Sequence, residues 1–266
     1  MKQMLLAIAS LAVLVPALAP ARGAAQPSVD EIVRKTNHAA YYLGADGRAR
    51  VKMTITDKQG RSRVRELTIM RLDTGTSDGP QKFYVYFHAP ADVAKMVFLV
   101  HKKVGADDDR WLYLPSLDLV KRIAAADKRT SFVGSDFVYE DVSGRALTED
   151  THRLVKTTKS YFVLEHVPVK PDAVRFSRYT MYVHRQTYLP TKVEYYDKQG
   201  ALYRVMTVEA VETLQGKPTV TRARMEDKAS GSVTRVEYSG VRYDLGLPDR
   251  IFTERYLRRA PIKYLQ

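Results

Sequence analysis

The chain has 266 residues, 45% of them hydrophobic and 27% charged, with a formal net charge of +13. It contains no cysteine, which excludes thiol catalysis, thiolate zinc sites, thiol redox motifs and a disulfide scaffold. The basic excess points to anionic partners (phosphate-bearing lipid head groups, acidic protein surfaces or nucleic acid) or to a merely solvated basic surface.

The N-terminus reads as a secretory signal over residues 1–25. Lys2 is a short basic region, Met4 to Ala19 is almost wholly apolar with Pro16 near its end, and small residues follow. Gly23-Ala24-Ala25 before Gln26 fits the small-x-small cleavage rule, with Ala21-Arg22-Gly23 as a second position. A retained membrane anchor is the competing reading, but the run is shorter than the roughly 20 residues a spanning helix needs. Export sets nucleic acid aside as a partner. Without Lys2 and Arg22 the formal charge is +11. The remaining residues, 26–266, suit one large β domain, or at the outside two small ones. No other segment is apolar enough to span a bilayer, and without a cysteine after the signal the chain is not itself a lipoprotein.

Ser28 with Glu31 three residues on forms a capping box. Val29, Ile32, Val33, Thr36, Ala40 and Leu43 recur at helical spacing and predict one amphipathic helix over 29–42, ended by Gly44. The period then changes to two. Ala49, Val51, Met53 and Ile55 alternate with Arg48, Arg50, Lys52 and Thr54, and after Asp57-Lys58-Gln59-Gly60 a second strand returns over 62–72. Further strands are expected at 83–87, 97–100 and 111–114. Residues 115–150, with Pro115, three consecutive alanines, Gly134 and Gly144, predict loops and one or two short helices. A long meander resumes at His152 and runs to Tyr238. Asp-Lys-Gln-Gly recurs at 197–200, which is better explained as reuse of a good hairpin turn than as a duplication.

The fold expected is mainly β (α+β), with about eleven antiparallel strands, an N-terminal helix and a central helical insertion. A sheet of that length must curl or close to hide its apolar face. A helix across a curled sheet encloses a cavity of the kind that holds ligands.

Motifs for chemistry are lacking. The six histidines show no metal-ligand spacing, Val142-Ser143-Gly144 and Gly134-Ser135-Asp136 do not match a nucleophile elbow, and Asp107-Asp108-Asp109 lacks the spacing of a calcium loop. No phosphate-binding glycine loop is present. The reading is a non-enzymatic protein without a cofactor or metal. Strand tyrosines and Met53, Met70, Met181 and Met206 suit either ordinary core or a pliable ligand wall.

The stretch Trp111-Leu-Tyr-Leu-Pro115, Lys121-Arg122-Ile123 and Ser131-Phe-Val-Gly-Ser135-Asp-Phe-Val-Tyr139-Glu-Asp141 resembles the outer-membrane lipoprotein-sorting family, LolA-like. Phe87 to Val93 and Leu247-Pro248-Asp249 to Phe252-Thr253 resemble it too. The likeness covers essentially the whole mature chain. It implies a strongly bent antiparallel sheet forming an incomplete β-barrel, with helices plugging its mouth and acyl chains held beneath. It also implies a periplasmic carrier of lipid or acylated protein cargo that works with an inner-membrane RND-type transporter. The alternative is an RseB-like periplasmic sensor or adaptor that binds a membrane protein; a lipid hydrolase has no candidate triad.

Within that fold, alternation selects Val51, Met53, Ile55, Tyr179, Met181 and Val183 as ligand-binding wall residues. Ser131 to Asp141 is assigned to a lid or hinge, with Arg122, Gly134, Asp136, Phe137, Tyr139, Glu140 and Asp141 as its working residues. The carboxylates of Asp136, Glu140 and Asp141 are expected to pair with Arg122 or Arg145.

Overall fold

The computed structural model describes residues 26–76 and 78–266, and the expected signal segment lies outside the described residues. Val29–Tyr41 forms helix α1. Ser28 caps it, its hydroxyl accepting from the Glu31 amide at 3.1 Å. Ile32, Val33, Thr36 and Ala39 make its buried stripe, as helical periodicity requires.

Thirteen strands follow: β1 (Asp46–Thr56), β2 (Ser62–Asp73), β3 (Gln81–Ala89), β4 (Val97–Lys102), β5 (Asp109–Leu114), β6 (Leu119–Arg122), β7 (Asp150–Thr157), β8 (Tyr161–Pro168), β9 (Phe176–His184), β10 (Pro190–Asp197), β11 (Leu202–Leu214), β12 (Lys217–Asp227) and β13 (Ser232–Tyr243). The count exceeds the eleven expected. β6 falls in the stretch read as loops and helices, because four residues are too few to display alternation. The two Asp-Lys-Gln-Gly segments make the same turn. Asp57 accepts from the amides of Gln59 and Arg61, and Asp197 accepts from those of Gln199 and Ala201.

All thirteen strands form one sheet in the order β6-β5-β4-β3-β2-β1-β13-β12-β11-β10-β9-β8-β7. β1 pairs antiparallel with both β2 and β13, so the two halves of the chain meander outward from the middle. The sheet bends strongly into an incomplete barrel. Bulges between Arg48 and Arg50 and along β11 add local twist and bend. β6 and β7 are the free edges, and residues 123–149 connect them. This insertion carries helix α2 (Tyr139–Ser143) and two short 3-10 turns, Ala125–Asp127 and Leu147–Glu149.

Two elements cover the concave face. α1 seats Ile32 and Val33 on Phe162, Leu164 and Val183 of β8 and β9. The insertion drops Phe132 and Tyr139 onto Phe87 and Phe98, with ring centroids 5.1–5.9 Å apart. Its tip is tied across the sheet: the Arg65 guanidinium donates to Val133 O at 3.1 Å.

The convex face of β2–β5 is also covered, which alternation alone did not suggest. Leu247, Ile251, Phe252, Leu257 and Leu265 pack on Met70, Tyr84, Val97, Leu99 and Trp111. They come from the C-terminal segment, whose helices are α3 (Arg255–Arg258) and α4 (Ile262–Leu265). Apolar cover on both faces explains why Phe83 to Phe87 and Val97 to Val100 are near-continuous apolar runs. Asp46 holds the segment's start: its buried carboxylate accepts from the amides of Leu245 and Leu247, both at 2.7 Å. Asp46→Ala strands both amides and is expected to cost about 2–4 kcal/mol, read as a lowered urea midpoint at unchanged m. A loss under about 1 kcal/mol would show that the segment docks without this anchor.

Candidate functional site

Between the concave face, α1 and the insertion lies a cavity of about 820 Å³, near the upper end of the range of small-molecule sites. β1 contributes Val51 and Met53, β2 Leu67 and Ile69, and β3 Phe83 and Val85. Val220, Ala223, Met225 and Val236 face them from β12 and β13. Thr36, Ala39 and Ala40 of α1 and Phe132 and Phe137 of the insertion also line it.

Four of the six expected wall residues, Val51, Met53, Tyr179 and Met181, line the cavity. Ile55 and Val183 lie on the same faces in apolar clusters: Ile55 in the cluster that Phe132 caps, and Val183 under α1. All six lie on the concave side of the sheet, but alternation does not register which stretches another element has filled.

Of the pairings expected for the insertion, Glu140 with Arg145 is present at 3.6 Å and the others are not. Asp136 accepts from the hydroxyls of Ser232 and Thr234, and its amide donates to Thr234 Oγ1 at 2.9 Å. Asp141 pairs with Arg204 of β11 and accepts from the Val138 amide at 2.7 Å, capping α2. Glu140 sits among Arg129 (3.1 Å), Lys128 (3.1 Å) and Arg145 (3.6 Å). Arg122 takes no part: it lies exposed on the edge strand β6 and pairs with Asp109. Its guanidinium lies over the Trp111 ring of the neighbouring strand, 5.8 Å from the centroid, and is held there by Asp109. Tyr139 is packed in the core beneath the insertion. Gly134 has φ +77° and open space around it, so it serves as a left-handed turn residue.

One end of the cavity is polar. Arg145 donates to both oxygens of Asp150 at 2.8 and 3.0 Å, and Tyr179 Oη donates to Asp150 Oδ2 at 2.8 Å. The Tyr179 ring stacks on His166 with centroids 4.4 Å apart. Burial, helped by the Asp150 charge, pushes the Tyr179 phenol well above its usual range. His152 Nε2 lies 3.0 Å from Leu147 O and His152 Nδ1 lies 2.7 Å from His166 Nδ1. The carbonyl requires His152 Nε2 to donate, so His166 Nδ1 donates to His152 Nδ1. His166 Nε2 is then left as a buried acceptor with no partner. Burial, then His152, pushes the His166 imidazole down to about 3. Sequence reasoning did not select His166 or Arg204. The available signal was phase: His166 follows Leu164 by two, and Arg204 precedes Met206 and Val208 on the cavity-facing parity.

Among the described residues no group of three or more His, Asp or Glu side chains is placed to hold a metal ion, and no helix is long and apolar enough to cross a membrane.

The matching family model, described as uncharacterized-protein-like, covers residues 79–259. A search of curated proteins finds no match. Among solved structures, a DUF1329 family protein from Desulfovibrio piger is 29% identical, with 86% of this chain and 97% of that one aligned at a TM-score of 0.78. A domain described as an outer membrane lipoprotein-sorting protein, from Vibrio parahaemolyticus, is 29% identical over 86% of this chain and 97% of its own, at 0.79. This chain belongs to the family of that model, and its fold is LolA-like. A LolA superfamily protein from Nitrosomonas europaea shares the fold at 21% identity, with 87% and 100% coverage and a TM-score of 0.67.

Proposed function

We propose that this LolA-like protein is a non-enzymatic periplasmic carrier. It shelters a lipid, or the acyl part of a lipid-modified protein, in the cavity under α1 and the insertion. The observation that carries this reading is the hollow itself: about 820 Å³ walled by Val51, Met53, Leu67, Phe83, Val85 and Met225. A hydrocarbon chain in water costs about 0.8 kcal/mol per methylene, so about fourteen methylenes cost on the order of 11 kcal/mol. A concave apolar wall removes that cost during passage through water. The insertion is the element that must move for cargo to enter, since its polar ties to β13 (Asp136 to Ser232 and Thr234) exchange more readily than the sheet pairing beneath. The proposed RND-type inner-membrane partner rests on the family resemblance, and it would be the donor or acceptor of the cargo.

Protein made in a Gram-negative periplasm and purified without detergent is expected to yield a hydrocarbon-bearing molecule near one equivalent, read by organic extraction and mass spectrometry. Val220→Trp, which places an indole in the hollow from a half-buried position, is expected to remove that ligand while leaving the far-ultraviolet spectrum unchanged. Repeated preparations without lipid, together with no uptake of a fluorescent alkyl probe, would reject the carrier. Stable capture of one membrane protein under those same conditions would instead support the adaptor.

A further inference from the structure

A second pocket of about 310 Å³ adjoins the cavity. The two share Arg129, Glu140, Gly144, Arg145 and Ala146 as a common wall. Its chemistry is the opposite of the first: six cationic residues and four carboxylates line it. Two of the cations are buried and incompletely matched. Lys102 of β4 donates to Ser143 O at 2.6 Å, and no carboxylate among the described residues lies within ion-pairing distance of it. Burial pushes its ammonium down to about 8. Arg110 of β5 is only 2% exposed. Its Nη2 reaches Asp108 at 2.6 Å and Ser143 Oγ at 3.5 Å, while its Nε and Nη1 have no partner. Desolvated donors of this kind are costly unless something accepts from them. An anion would satisfy both residues with charge-assisted bonds.

We propose that this pocket is the head-group site for an amphiphile bearing a phosphate or another anionic group, whose hydrocarbon lies in the adjoining cavity. The inference rests on the carrier reading and narrows it to anionic cargo. Lys102, Arg110 and Lys128 receive the head. The wall around Glu140, where Arg129, Lys128 and Arg145 converge, divides head from chain. Tyr41 closes that wall, because a Cβ placed on Gly144 would come within 2.6 Å of its ring. A bound amphiphile therefore requires the Glu140 cluster to part.

The test titrates the purified protein with hexadecyl phosphate, with uncharged 1-hexadecylglycerol and with inorganic phosphate, below the micellar range and by calorimetry. The phosphate ester is expected to bind at least about tenfold tighter than the glycerol ether, the gain of one good charge-assisted contact. In Lys102→Met that ratio is expected to collapse to within about threefold. Lys170→Ser, at the exposed rim of the same pocket, is expected to lower it about twofold and keeps the test available if the Lys102 variant does not fold. Equal affinity for the two amphiphiles would overturn the head-group site and leave the carrier standing. Failure of both to bind would overturn the carrier and the head-group site together. Binding of inorganic phosphate with neither amphiphile would make the pocket a free-anion site and overturn the proposal.

Discussion

Phe132→Ala is expected to cost about 3–5 kcal/mol of stability, the range for emptying a buried aromatic site. Phe132 is 3% exposed, and its ring lies against Phe87, Phe98 and Tyr139. With Tyr139 it makes the apolar seat of the insertion on the sheet. The polar ties, among them Arg65 to Val133 O and Asp136 to Ser232 and Thr234, exchange with water at little net cost. Hydrogen exchange across residues 128–145 is therefore expected to accelerate far more than exchange in β1–β3. Release of an alkyl probe should accelerate with it, since the same segment roofs the cavity. A urea-midpoint loss under about 1 kcal/mol, or uniform acceleration over the whole sheet, would show that the insertion is not separately hinged on this ring.

Acid is expected to destabilise the protein through His166 over a defined window. Burial and the neighbouring His152 hold the native imidazole neutral down to about 3, against an ordinary value of 6.5. The unfolded chain takes up a proton near 6.5 and the native chain does not. His166's full contribution is thus present above pH 6.5 and is lost as pH falls from there toward 3, by up to about 4–5 kcal/mol at the low end. His166→Phe keeps a ring against Tyr179 and removes the titration, so its urea midpoint should fall less between pH 6.5 and 4 than that of the parent. If parent and variant lose stability in parallel, the acid limb belongs to paired carboxylates such as Glu149, held low by Lys128 and Arg145, and the His166 assignment is wrong.

Much of the architecture was legible because its signals are local. Ser28 and Glu31 marked the start of α1. The Asp57 and Asp197 turns announced two hairpins through the same side-chain-to-amide bonds. Alternation from Ala49 to Ile55 and from Tyr179 to Val183 grouped side chains that share one face of the sheet. The insertion was legible as a break in rhythm, although β6 hid within it. Among the polar contacts of the site, the Glu140–Arg145 pair, close in the chain, was legible and the others were not. Asp136, Glu140 and Asp141 were recognisable as a carboxylate set, but their other partners (Thr234, Arg129 and Arg204) lie about 98, 11 and 63 residues away. No spacing rule links them.

The amino-acid sequence by itself determined which residues share a face, because a strand's side-chain direction alternates with its two-residue repeat and depends on nothing distant. It also determined that thiol chemistry is absent and that a basic surface surrounds a β core. Only the tertiary structure decided where that inner face is filled and where it is hollow. Ile55 and Val183 carry the same pattern as Met53 and Met181, and share their apolar clusters, yet Met53 and Met181 border the cavity and Ile55 and Val183 do not. The physical reason is that burial against a roof is a long-range contact. It depends on where α1, the insertion and the C-terminal segment come to rest on a sheet whose first and last strands are neighbours.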